Sequence, residues 1–216
     1  MNLPEKFLET LECEVRKLLA DSPRCHDLDH SFRVLANARR IAQAENADMA
    51  VVQTAAMLHD IGRSTEFADL GKTCHAEIGA AQVADVLKKL GITDAAFVQH
   101  VADCIATHRY RNRTGRTPET LEAKIIFDAD KLDSMGAIGV GRAFHFAGRI
   151  GARVHNTEEE ALASESYSHE DTAYREYLVK LRNLKDSMLT GEGRRMAHRR
   201  HEFMEAFFNE LNREVE

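Results

Sequence analysis

Proline is nearly absent from this chain, with three in 216 residues, and tryptophan is missing altogether. Alternating runs of Val, Ile and Thr are missing too, which leaves little room for a sheet. No apolar stretch approaches the ~20 residues that a bilayer-spanning helix needs. The opening residues, MNLPEKFLETLEC, carry acids where a signal peptide would carry its apolar core, so a cytoplasmic protein with no membrane partner is expected. Cysteines are few: Cys13, Cys25, Cys74 and Cys104 are scattered and form no CxxC pair. A chain of this size does not need disulfide staples, so reduced thiols are expected. Positive charge is also short, with 29 Lys and Arg against 35 Asp and Glu and a formal net charge of −6. That balance argues against binding along a nucleic-acid duplex, although a local basic patch remains compatible with it.

What the sequence does contain is apolar residues at steps of three and four, the period of helices with one buried stripe. The spacing predicts helices near 4–20, 28–46, 49–60, 75–90, 94–108, 118–133, 136–150, 171–189 and 193–213. Asp27 or Asp29 can cap the second, Thr117-Pro118 opens the sixth, and Gly62, Gly91 and Gly151 stand where helices should stop. Two linkers stand out: RYRNRTGRT at 109–117, with four arginines, and the acidic HNTEEEALASESYSHED at 155–171, expected to be a mobile connection. There are no solenoid-length repeats and no sustained heptads. The expected fold is one all-α domain over residues 1–216.

The stretch QTAAMLHDIGRS, residues 53–64, ends an Ala- and Met-rich helix on His59 and Asp60. On a helix, Met49, Val52 and Ala56 lead to His59 by steps of three and four, and Asp60 falls on the same side. A buried carboxylate needs a partner. His59 and Asp60 could satisfy each other or nearby backbone, but other helices repeat the pattern. His30 continues the stripe Val34, Ala38, Ile41, and Asp130 continues Ala123, Ile126. Imidazoles and carboxylates gathered in a core are what a divalent cation makes tolerable. Two His and two Asp without thiolate favour Mn, Fe, Co or Ni, with Mg or Zn also compatible, and leave coordination positions for water and substrate.

Taken in order, HDLDHSFRV, AAMLHDIG and LEAKIIFDADKLDSMGAIGVGRAF resemble the HD-domain superfamily of metal-dependent phosphohydrolases, and in particular a small single-domain bacterial branch reported to act on nucleotides. The match spans about residues 26–150, with C-terminal helices at about 171–213 beyond it. The resemblance implies an HD-domain helical bundle in which His30, His59, Asp60 and Asp130 hold the metal; Asp128 lies on another helical face. It places His75 and His108 either at a second metal or against substrate phosphates. Two departures are Leu28, where the family commonly has an aromatic residue, and the loop arginines.

The activity so implied is hydrolysis of a phosphoester or phosphoanhydride bond in a nucleotide or similar small phosphorylated substrate, by metal-activated water. Asp60, His75 and His108 are the expected catalytic residues: Asp60 as ligand and proton acceptor, the histidines as hydrogen-bond donors or proton donors to phosphoryl oxygens. Lys131 and Arg142 are the cations expected to clamp phosphate, with Lys131 as a surface ion-pair partner the competing reading. Arg109, Arg111, Arg113 and Arg116 could gather a polyphosphate or simply be solvated. His198 and His201 read as the polar face of the last helix, and Phe203, Phe207 and Phe208 as packing or a partner surface. Two further functions stay open: a two-metal phosphodiesterase, and a non-catalytic metal-dependent nucleotide sensor.

Overall fold

The stripes do become helices. The computed structural model describes residues 3–20, 28–69, 72–109 and 116–215, and among these there are helices and no strand, so the all-α expectation is met. The chain divides into two compact units, Met1–Asp130 and Lys131–Glu216. That the whole chain acts as one domain is retained as a proposal.

The first unit holds α1 (Phe7–Leu18), α2 (Leu28–Glu45), α3 (Met49–Leu58), α4 (Arg63–Ala68), α5 (His75–Lys89), α6 (Ala95–Thr107) and α7 (Leu121–Asp133) as far as Asp130. α3 is the centre, packed on α1, α2 and α6, which explains why MAVVQTAAML is apolar nearly all round. Its start is fixed by Asp48, whose carboxylate accepts from Ala50 N at 2.9 Å and Val51 N at 3.3 Å. The Asp48 N–H in turn donates to Glu122 of α7 at 2.9 Å. The buried Asn37 of α2 donates to the carbonyl of Ala129 at 3.1 Å, tying the two helices together one residue before Asp130.

Several boundaries differ from the sequence reading. α3 ends at Leu58, so His59 stands just past the helix. Gly62 does not end a helix in the left-handed region; it has φ −80° and begins α4. The reason for glycine there is contact: a Cβ would lie 2.3 Å from the His75 carbonyl oxygen and 2.9 Å from Gly79 N. α4 can therefore lie directly against α5, the helix that carries His75. Gly91, by contrast, does take the left-handed conformation, φ +79°, after the end of α5. α7 starts three residues later than Thr117-Pro118 suggests, and Thr120 Oγ1 accepts the Ala123 N–H at 3.2 Å. Asp27 lies outside the described residues.

The second unit holds the last turn of α7, then α8 (Gly136–Arg149), α9 (Glu158–Ala163), α10 (Ala173–Val179), a 3-10 helix (Leu181–Ser187) and α11 (Gly191–Arg213). The segment 155–171 is not a mobile connection. Thr157 and Glu160 form a reciprocal capping box for α9, and the buried Asn156 donates to the Glu170 carbonyl at 3.0 Å while accepting from Thr172 Oγ1 at 2.7 Å. The single helix expected over 171–189 is broken at Lys180, φ −139°, between α10 and the 3-10 turn. Phe208 is buried and stacks on Tyr177 with centroids 4.4 Å apart, while Phe207 meets Phe144 edge-on at 5.9 Å. These rings are packing within the unit, and Phe203 is exposed. His201 is buried, not on a polar face, and accepts from Lys185 at 3.0 Å.

Candidate metal centre

Three histidines of the first unit share one design at Nδ1. A helix leaves its last carbonyls without backbone partners, and a polar side chain just past the end can supply one. His59 follows α3 and its Nδ1 donates to the Ala56 carbonyl at 2.7 Å. His108 follows α6 and repeats the arrangement, donating to the Ile105 carbonyl at 2.6 Å. His75 opens α5, and its Nδ1 donates to Glu66 Oε2 at 2.8 Å. A carbonyl or carboxylate oxygen can only accept, so each Nδ1 carries a proton, and each ring turns its Nε2 toward Asp60.

Those Nε2 atoms converge. His59 Nε2 lies 3.1 Å from His30 Nε2, and His75 Nε2 lies 3.2 Å from His108 Nε2. The rings of His30, His59, His108 and His75 follow one another edge to face, with centroids 5.1, 5.3 and 5.1 Å apart. Asp60 sits between the pairs. Its Oδ2 is 3.4 Å from His30 Nε2 and 3.6 Å from His59 Nε2, and its Oδ1 is 3.4 Å from His75 Nε2 and 3.7 Å from His108 Nε2. Asp130 Oδ1 lies 3.4 Å from His30 Nε2. The four histidines and Asp60 are buried, whereas the Asp130 side chain keeps 17% of its exposure.

The donor set fits a cation. Two trios, His30–His59–Asp60 and Asp60–His75–His108, each offer three ligand atoms within 4.8 Å of one another. Two donors bound at ~2.1 Å to one cation stand ~3.0 Å apart at a right angle and ~3.4 Å apart at a tetrahedral angle. The nitrogen pairs and most nitrogen–carboxylate distances fall close to that range. Imidazole nitrogens 3.2 Å apart, as at His75 and His108, must share either a proton or a cation between them.

Burial favours the neutral form of His59 and His75. It pushes His59 down to about 4, against the opposing pull of Asp60, and it also lowers His75. Neutral His75 thus offers an acceptor at Nε2, and donating a hydrogen bond to phosphate from that atom would require a second proton.

Arg63 and Glu66, which the sequence reading passed over, complete the surroundings. Arg63 Nε donates to Asp60 Oδ1 at 2.9 Å and its Nη1 to Glu66 Oε2 at 3.1 Å. Burial works against the Arg63 charge, yet the carboxylates of Asp60, Asp130 and Glu66 outweigh it and raise its pKa. The signal was present: Arg63 and Glu66 stand three and six residues after Asp60, on one face of a short helix. Arg109 donates to Glu66 Oε1 at 2.8 Å and to Cys74 Sγ at 3.3 Å, while Arg116 is exposed. Arg111 and Arg113 lie outside the described residues.

Lys131 and Arg142 belong to the second unit. Lys131 is buried, so it is not a surface ion-pair partner, and Arg142 Nη1 donates to Asp133 Oδ2 at 2.6 Å. Asp128 is fully buried in α7.

Comparison with known proteins identifies the family of this chain. The HD-domain family model matches residues 27–135. An uncharacterized protein of Bacillus subtilis, YpgQ, is 32% identical over 212 residues, 97% of this chain and 94% of that protein. The crystal structure of YpgQ in complex with ADP is similar with a TM-score of 0.73 at 29% identity, covering 96% of this chain and 97% of that one. A predicted HD superfamily hydrolase from an uncultured Thermotogales bacterium has a TM-score of 0.69 at 29% identity, covering 97% and 93%. With its histidines and Asp60 spaced and gathered in this way, and with kinship running nearly end to end, the chain belongs to the HD-domain family.

Proposed function

We propose that this protein is a metal-dependent phosphohydrolase that cleaves a phosphoester or phosphoanhydride bond of a nucleotide. The observation that carries the reading is the convergence of buried Nε2 atoms and the Asp60 carboxylate on common points. Kinship with proteins described as HD-superfamily hydrolases supports the reaction class, and the ADP complex of YpgQ supports a nucleotide ligand.

In this reading His30, His59, Asp60 and Asp130 hold one divalent ion: Mn, Fe, Co or Ni by donor chemistry, with Mg or Zn also compatible. Such an ion would supply Lewis-acid chemistry, bringing the pKa of water down toward neutrality and polarising a phosphoryl oxygen. Asp60 holds negative charge at the middle of the site, where it can also accept a proton, and Arg63 keeps its carboxylate oriented. His75 and His108 bring Nε2 within 3.4 and 3.7 Å of the same carboxylate, and in this reading they either ligate a second ion or face the substrate phosphates. Lys131 and Arg142 are assigned to the substrate phosphates.

A second reading, hydrolysis with two cations, is favoured by one specific observation. The Asp60–His75–His108 trio repeats the first trio's composition and shares its carboxylate. Incubation with nucleoside mono-, di- and triphosphates under Mn, Co, Ni, Mg and Zn tests both. Release of phosphate or pyrophosphate is expected with at least one metal. Metal content of one ion per chain against two separates the readings. Nucleotide binding without release under every metal would leave a sensor and refute the hydrolase.

A further inference from the structure

Among its described residues, the first unit leaves one large apolar side chain in solvent. Phe67 is 66% exposed, whereas the other exposed large apolar residues, such as Tyr167 and Phe203, belong to the second unit. Its place on α4 is specific. Arg63, Glu66 and Phe67 stand three and four residues apart and so share one face of that helix. The other two members of the face reach the metal centre: Arg63 Nε donates to Asp60 Oδ1 at 2.9 Å, and Glu66 Oε2 accepts from His75 Nδ1 at 2.8 Å. Phe67 lies one helical turn farther along α4 than Arg63. Both ends of this segment are braced. Gly62 seats the start of α4 against the backbone of α5, at the His75 carbonyl and Gly79 N. Past its end, Asp69 Oδ1 accepts from Lys72 N at 3.0 Å and Asp69 Oδ2 from Thr73 N at 3.1 Å. The ring therefore stands on a fixed backbone, and an aromatic side chain with only two torsions loses little entropy when a ligand covers it.

A nucleotide has two ends of different chemistry. Its phosphates suit the cation site and the two arginines gathered at Glu66, Arg63 at 3.1 Å and Arg109 at 2.8 Å. Its base is a flat π surface that stacks on an aromatic ring. We propose that Phe67 is the platform for the base of the nucleotide whose phosphates lie at the metal centre. This rests on the nucleotide reading of the site. Every base has a π face, so a lone ring discriminates weakly among bases and favours those that stack most strongly.

The chain contains no tryptophan, so Phe67→Trp installs a sole indole reporter. In the full-length variant pre-loaded with Mn, ADP is expected to quench the indole emission. Inorganic diphosphate, which offers phosphates without a base, should leave it unchanged. Phe203→Trp, at a 48% exposed position on α11, is the control and should respond to neither. Calorimetry then reads the affinity. Phe67→Ala should weaken ADP binding roughly 5- to 150-fold, the loss expected for one base–aromatic stack, while diphosphate affinity stays within about twofold. Phe67→Trp should bind ADP as the parent does. The ring is exposed, so truncating it empties no core. Indole emission unchanged by ADP, or Phe67→Ala binding ADP at the parent's affinity, overturns the inference. Equal weakening of ADP and diphosphate does so too, since Phe67 would then support the phosphate site and not the base. A parent that binds ADP no better than diphosphate is equally fatal. None of these readouts involves turnover: ADP stacked on Phe67 but never hydrolysed would sink the hydrolase and leave this inference standing.

Discussion

Gly62→Ala probes how the backbone sets the site. The added methyl would lie 2.3 Å from the His75 carbonyl oxygen and 2.9 Å from Gly79 N, against an ordinary contact of ~3.5 Å. Both obstacles are backbone atoms of α5, so no change of rotamer relieves the overlap. α4 and α5 must separate by about 1 Å, and overpacking of this kind costs roughly 3 kcal/mol. For a chain of 216 residues that corresponds to a fall in Tm of roughly 6–12 °C. Because His75 opens α5, the same separation draws its imidazole away from Asp60, and metal affinity should fall as well. Gly141→Ala is the control: no atom lies within 4 Å of its Cβ position, and alanine within α8 should stabilise by roughly 0.5–1 kcal/mol. Thermal and urea unfolding of chelator-treated protein measure both. If Gly62→Ala melted within about 1 °C of the parent, the argument that glycine is required by contact with α5 would be wrong.

Two further outcomes follow from the first unit. Asp48→Ala removes the acceptor for the Ala50 and Val51 N–H groups, and should cost about 1 kcal/mol in urea unfolding; no measurable change would mean that water caps α3 equally well. In metal-free protein, His59 is held down to about 4 and His75 is also lowered, both chiefly by burial, so the unfolded chain binds their protons more readily. The stability contributed by the neutral rings is then present above the unfolded value near pH 6.5 and lost as pH falls toward the folded value. For His59 this is on the order of 3 kcal/mol. Urea midpoints that stay flat from about pH 7 to about pH 5 would contradict this.

How much of this was legible in the sequence depends on what enforces each feature. His30, with Val34, Ala38 and Ile41 behind it, was placed correctly in the interior because a helical stripe is periodic and each member predicts the next. The same rule carried His59 and Asp60, although both lie past the end of α3, because the turn continues with helical φ and ψ at His59. α4 escaped because it is six residues long and has no fully buried side chain, so it leaves no stripe to read. Glu66 escaped with it. Only the spacing of Arg63 and Glu66 was legible; the distant partners of Glu66, His75 and Arg109, stand nine and 43 residues away, and only the fold brings them together. Segment 155–171 looked mobile because its order comes from Asn156, Thr172 and a capping box, in which small polar residues bond to nearby backbone and no apolar face announces itself. The break at Lys180 has no proline or glycine to mark it, and helical spacing runs through it undisturbed.

The central claim is that Asp60 joins both histidine pairs into a site for divalent metal, and calorimetric titration with Mn, Co and Ni tests it most directly. Chelator-stripped protein should bind at least one ion per chain. Asp60→Ala should bind none detectably while keeping the helical circular-dichroism spectrum of the parent. Metal binding by Asp60→Ala at the parent's affinity, or no binding by the parent itself, would contradict the account.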